Sequence, residues 1–184
     1  MDTRQLLEQA EALLDGLATA ITRPEENRID VIISKDRLLK AAEILENSGW
    51  GYLSAITGLD HSASDIIKTE EKQWEHVVDG SGQTGFGYAG LLEVLYHFCS
   101  GAAVTTLRVQ VSHEHAVVPS ICEIIPSATL YEREVMEMFG VEIQGTPDTE
   151  HLLLPDDWPA GVYPLRKDFK GFEAETEEKG TDNA

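Results

Sequence analysis

At 184 residues, with 42% hydrophobic residues and a formal net charge of −19, the chain has the size and composition of one domain with a substantial core. The charge excludes a general nucleic-acid binder, which needs clustered Lys and Arg, and disfavours an anionic membrane surface; it suits plain solubility or a meeting with basic patches on other proteins. Two cysteines, Cys99 and Cys122, stand outside any CxxC pair and fall short of the four thiolates of an iron–sulfur cluster, and no stretch reads as a secretory signal or a membrane span, so the expectation is a cytosolic protein with reduced cysteines.

Leu6, Leu7, Ala10, Leu13, Leu14, Leu17 and Ile21 fall at helical spacing and predict a helix over residues 3–21, capped by Asp2 or Thr3 and broken at Arg23-Pro24. Residues 29–34 read as a buried strand and 36–47 as a helix ended by Gly49. A strand over 51–56 then runs into a loop at 57–61. This helix–strand–helix–strand opening indicates an α/β or α+β domain. Residues 65–71 read as loop or short helix, and 74–79 as a strand. Gly80, Gly82 and Gly85 match G-x-G-x-x-G, but no helix opens at the third glycine, so a hairpin or loop is expected rather than a nucleotide site. Residues 91–99 and 104–112 read as antiparallel strands turning at Ser100-Gly101. His113 and His115 read as exposed loop histidines, since two imidazoles alone make no metal site.

Residues 131–170 organise the rest. Ser120 to Glu123 and Thr129 to Glu132 have capping-box spacing, and the second opens a short helix with the stripe Tyr131, Val135, Met138 and Phe139, ended by Gly140. Its charges, Glu132, Arg133, Glu134 and Glu137, lie off that stripe; they predict a solvated face with an Arg133–Glu137 pair, or an interface. Acid–base work by Glu132 and Glu134 is a third reading, that of an isolated hydrolase. Beyond the helix a proline-rich extended segment ends in Pro164-Leu165-Arg166-Lys167-Asp168-Phe169, two adjacent cations in a very acidic chain. They predict either internal pairing or docking to a partner. The chain divides into a globular α/β part (1–145), an extended docking arm (146–170) and an acidic tail (171–184) expected to be disordered for want of apolar anchors.

Tyr131-Glu132-Arg133-Glu134, Met138-Phe139-Gly140, Thr146-Pro147-Asp148, Leu152-Leu153 and the 164–169 run together resemble the signature of the thirty-kilodalton subunit family of respiratory complex I, the NADH:quinone oxidoreductase. The likeness extends more loosely over residues 29–170, through 53–60, 92–100, 107–111 and Pro119-Ser120. The chain departs from the family pattern at Thr129-Leu130, Glu137, Thr146 and His151, and residues 158–163 resemble forms in energy-converting hydrogenases and ferredoxin-linked relatives, so either parent complex stays open. The resemblance implies an α/β (α+β) fold, a mixed sheet flanked by helices with an extended C-terminal arm. It implies a non-catalytic peripheral-arm subunit on the cytoplasmic side of the membrane. Such a protein holds together a large quinone-site or hydrogenase-like subunit and neighbouring iron–sulfur subunits. NAD, flavin, iron–sulfur clusters and quinone are then expected in the partners and none in this chain. The interface is expected at Glu132, Arg133, Glu134, Phe139, Gly140, Pro147, Asp148, Pro164, Leu165, Arg166, Lys167 and Asp168. A free-standing adaptor on the same fold is the remaining rival.

Overall fold

The computed structural model describes residues 1–61 and 90–172. The glycine-rich run at 80–87, the elements expected at 65–71 and 74–79, and tail residues 173–184 lie outside the described residues. The elements are helix α1 (Thr3–Leu14), strands β1 (Ala20–Glu25) and β2 (Arg28–Ile33), helix α2 (Leu38–Asn47), strands β3 (Tyr52–His61), β4 (Leu91–Ser100), β5 (Ala103–Ser112) and β6 (Val117–Pro119), helix α3 (Ala128–Phe139) and strand β7 (Glu142–Gln144).

Five strands form one mixed sheet in the order β1-β2-β5-β4-β3, in which β2 and β5 run parallel and the other pairs antiparallel. Period-two alternation puts Val31, Leu107, Val109, Val94, Tyr96 and Phe98 on one face, and these join a single buried core with Leu7, Ala10 and Leu14 of α1 and Leu38, Ala41, Ala42 and Leu45 of α2. Val135 and Phe139 of α3 enter the same core, so the expected mixed sheet with flanking helices is what the chain forms. A short parallel pair, β6 with β7, brackets α3 and ties the chain before that helix to the chain after it.

Three local expectations are corrected. The first helix stops at Leu14, not at residue 21: Asp15 turns extended, Gly16 takes φ +78, and Ala20–Glu25 becomes an edge strand paired to β2. Leu17 and Ile21 fit a helical stripe, but Ile21 has a strand partner, Val31, and tertiary pairing overrides the local pattern. Pro24 sits where the β1–β2 register shifts, on the outer strand, where a missing N–H costs no ladder bond. Strand β3 continues through the loop expected at 57–61, because Thr57, Gly58, Leu59, Asp60 and His61 all pair with β4. Neither capping box forms. Residues 120–127 are turns, Ser127 is the N-cap of α3 without a side-chain bond, and the buried Thr129 hydroxyl has no partner among the described residues. The cap of α1 does form as expected: the Asp2 carboxylate accepts the Gln5 N–H at 2.8 Å and the Gln5 side chain accepts the Asp2 N–H at 3.1 Å.

The sheet face away from the helices carries an ionic chain across four strands. Arg108 donates to Glu93 (Nε to Oε1, 2.8 Å) and to Asp30 (Nη1 to Oδ2, 2.9 Å), Arg28 also holds Asp30, and His61 meets Glu93 at 2.9 Å. Burial pushes the Glu93 carboxyl up, but the bonds from His61 and Arg108 outweigh it and leave it below the usual range. His97, between the Thr57 and Thr106 hydroxyls, is pushed down by burial and by nearby Arg28. Such a network specifies strand register, because a one-residue slip would part every pair.

Candidate functional site

The arm over residues 146–172 folds back along α3, and the helix side chains decide how. Glu137 is one turn below Arg133 on the helix, but the two do not pair as expected. The Glu137 carboxylate accepts the N–H groups of Leu152 (3.1 Å), Leu153 (2.9 Å) and Leu154 (3.2 Å), with the His151 ring at 3.3 Å. Three successive amides aimed at one carboxylate form an anion-binding nest filled from within the chain. Burial raises this carboxyl's pKa, and the Leu154, Leu153 and Leu152 amides together with His151 more than reverse that, so it lies below the usual range. Arg133 donates to the carbonyls of Glu150 (2.8 Å) and His151 (2.8 Å) and pairs with Asp148 at 2.8 Å. Asp148 in turn accepts the Glu150 N–H at 2.9 Å.

At its far end the arm meets the C-terminus of α3. Gly140 ends the helix at φ +65, and a Cβ there would lie 2.3 Å from Tyr163 Cζ, so only glycine allows the ring to close over the helix end. Arg166 donates to the last carbonyls, those of Phe139 (2.7 Å) and Gly140 (3.4 Å), and lies over the Tyr163 ring at 4.4 Å. Leu165 N–H reaches the Met138 carbonyl at 3.1 Å, and Lys167 N–H reaches the Asp60 carboxylate on β3 at 2.9 Å. Between the two ends, Trp158 donates to the Val162 carbonyl at 2.8 Å, and its ring meets Phe169 and Phe172. A cavity of about 290 Å³ remains between helix and arm, walled by Met136, Glu137, His151, Leu154, Trp158 and Tyr163.

The expected interface residues therefore separate. Glu132 is 0% exposed, which corrects its place on a solvated face. Its carboxylate accepts Ser120 Oγ–H (2.8 Å), Ile121 N–H (2.8 Å) and Cys122 Sγ–H (3.2 Å). The neighbouring Tyr96 hydroxyl is pushed up by burial and by that carboxylate. Sealed in this way, Glu132 has no route to a substrate, and the paired-glutamate hydrolase loses one of its two acids. Phe139 is buried against Gly58, and Arg133, Gly140 and Arg166 hold the arm. Glu134, Asp148, Pro164 and Lys167 are half-buried; Pro147, Leu165 and Asp168 are exposed. Cations and acids expected to face outward are thus largely engaged within the chain, and the reason is geometric: residues 146–172 double back over the helix that presents them. Glu137, Asp60, Trp158 and Phe172 join this site without standing among the expected interface residues. Phe172 falls in the segment expected to lack apolar anchors, yet it packs edge-on to Trp158 at 5.1 Å and to Phe169 at 5.7 Å. The aromatic spacing Trp158, Phe169, Phe172 is the signal in the sequence that marks it.

Among the described residues no group of three or more His, Cys, Asp or Glu is placed to hold a metal ion, and no helix is long and apolar enough to cross a membrane. Cys99 is on β4 and Cys122 lies in the turn before α3.

The family model for the respiratory-chain NADH dehydrogenase 30 kDa subunit matches residues 31–175. The beta subunit of the membrane-bound hydrogenase of Pyrococcus furiosus is 45% identical over 157 residues, spanning 77% of this chain and 84% of that protein. A subunit of the NADH-quinone oxidoreductase of Moorella thermoacetica is 29% identical over 143 residues, spanning 76% of this chain and 78% of that protein. Among solved structures, a chain of the membrane-bound sulfane sulfur reductase, an archaeal respiratory membrane complex, shares the fold with TM-score 0.57 and 22% identity, over 90% of this chain and 84% of that one.

Proposed function

This chain belongs to the family of the respiratory-chain NADH dehydrogenase 30 kDa subunit, and from that premise we propose that it is a peripheral-arm subunit, without an active site of its own, of a membrane-associated, ion-translocating oxidoreductase. Its work is to hold a large quinone-site or hydrogenase-like subunit in register with iron–sulfur subunits, on the cytoplasmic side. NAD, flavin, iron–sulfur clusters and quinone belong to those partners. The observation that carries this reading is the arm: residues 146–172 are pinned to α3 and β3 by Glu137, Arg133, Arg166 and Asp60, while Leu153 and Leu165 stay on the surface. A segment held this firmly, yet offering apolar side chains outward, has the properties of a docking element.

The parent complex has two readings. An NADH:quinone oxidoreductase accords with the family. A membrane-bound hydrogenase or ferredoxin-linked relative is favoured by the higher identity to the hydrogenase subunit, 45% against 29% over nearly equal shares of this chain. Native purification through a tag on this chain tests both. A nucleotide- and flavin-binding subunit among the co-purifying proteins identifies the first, and a nickel-binding large subunit the second. Recovery of the chain alone from its own cells would defeat the subunit reading, and stoichiometric visible absorption by the chain itself would defeat the cofactor-free one.

A further inference from the structure

Resting on the reading that the arm docks, we propose that its docking contact is apolar. Leu152 and Leu153 form a preformed knob for an apolar groove, bordered by Lys or Arg, on a neighbouring protein subunit, and Glu137 is the residue that positions the knob. Four of the nine large hydrophobic side chains exposed among the described residues lie on the arm: Leu152, Leu153, Leu165 and Phe172. Leu153 is 61% exposed, although its own N–H makes the shortest of the three amide bonds to Glu137. The chain thus commits a buried carboxylate of α3 to fixing the backbone of residues 152–154 while leaving two of the three side chains in water.

Fixing a loop before binding removes the ordering cost at the moment of association. A fixed loop with outward leucines serves binding, whereas a loop fixed only for stability would turn them inward, as Leu154 is turned toward the cavity. The charges expected to dock do not compete for this role. Arg133 and Arg166 are engaged with arm and helix carbonyls, so what remains outward beside the knob is apolar or acidic. Glu150, Asp156 and Asp157 flank the leucines and are exposed. These acids favour a groove with a basic border, and they oppose an anionic lipid surface as the occupant.

The test uses the full chain and the parent complex purified from cells that lack it. Leu152→Ser/Leu153→Ser should melt as the wild type does, since both side chains are largely in water, yet bind the depleted complex at least about tenfold more weakly. Glu137→Gln keeps the side-chain shape and removes the charge. It should speed amide exchange at residues 152–154 in the free chain and weaken binding with it, an effect a merely structural role would not confine to those amides. Wild-type affinity of the double leucine variant overturns the knob. Exchange across residues 146–170 separates that failure from the larger one: slowing on assembly keeps the docking arm, and no slowing removes it as well. Leucine-dependent binding of the wild-type chain to phosphatidylglycerol vesicles would also overturn the proposal, by assigning the knob to a membrane.

Discussion

Glu132 and Glu134 differ by two positions on one helix, and that rotation of about 200° separates a sealed carboxylate from a half-exposed one. Removing the first orphans the Ile121 N–H and the Ser120 hydroxyl in the core. Glu132→Ala should therefore cost about 2–3 kcal/mol in a urea titration of the isolated chain. Glu134→Ala should stay within about 0.5 kcal/mol. Equal effects would contradict the burial difference. Glu137 makes a prediction in pH. Its folded pKa lies below that of an unfolded glutamate, about 4.3, so its contribution is fully present above that value and is lost as pH falls through the lower folded one. Amide protection at residues 152–154 should hold at neutral pH and fall away only in acid, and Glu137→Gln should abolish that dependence. Protection that declined between pH 8 and 6 would point to another group.

At the scale of the element, the C-terminus of α3 is where helix and arm become one unit. The helix carbonyls left without amides are met by Arg166 and by Leu165 N–H, and Gly140 gives Tyr163 its place. Gly140→Ala adds about 1–2 kcal/mol of left-handed backbone strain and drives a methyl into the Tyr163 ring. Limited proteolysis should then cut the arm faster than in the wild type while the sheet core stays protected. Arg166→Ala removes charged hydrogen bonds of about 1.5–3 kcal/mol. It should lower the thermal midpoint of the isolated chain, whereas an arginine used only for docking would leave that midpoint unchanged. Strand existence was legible at this scale wherever both sheet neighbours are present, as for β2, β4 and β5, because burial on a central strand writes itself as apolar alternation. The edge was not. β1 carries exposed polar residues and a proline, and only the partner strand makes it a strand.

At the scale of the whole molecule, one core, one ionic sheet face and one arm account for the described residues. The arm ends on the aromatic contacts of Trp158, Phe169 and Phe172, so the point of truncation matters. Removing residues 173–184 should leave the thermal midpoint unchanged. Removing 171–184 should cost about 0.5–1.5 kcal/mol, because Phe172 leaves two ring contacts; identical midpoints for the two truncations would deny those contacts a role. The amino-acid sequence by itself determined the α+β class, the helix-to-arm order and, through the motifs of residues 131–169, the family. Each of these depends on residue types at fixed spacing along the chain. Only the tertiary structure decided which charges face outward. Glu132 is buried because residues 120–122 cross its side of α3, and Arg133, Glu137 and Arg166 turn inward because the arm returns over the helix. Spacing places a side chain on a face of its own helix, but what packs against that face is chosen by chain many residues away. The docking stretch thus appeared in the sequence as a set of charges, and in the fold those charges became the mount for its leucines.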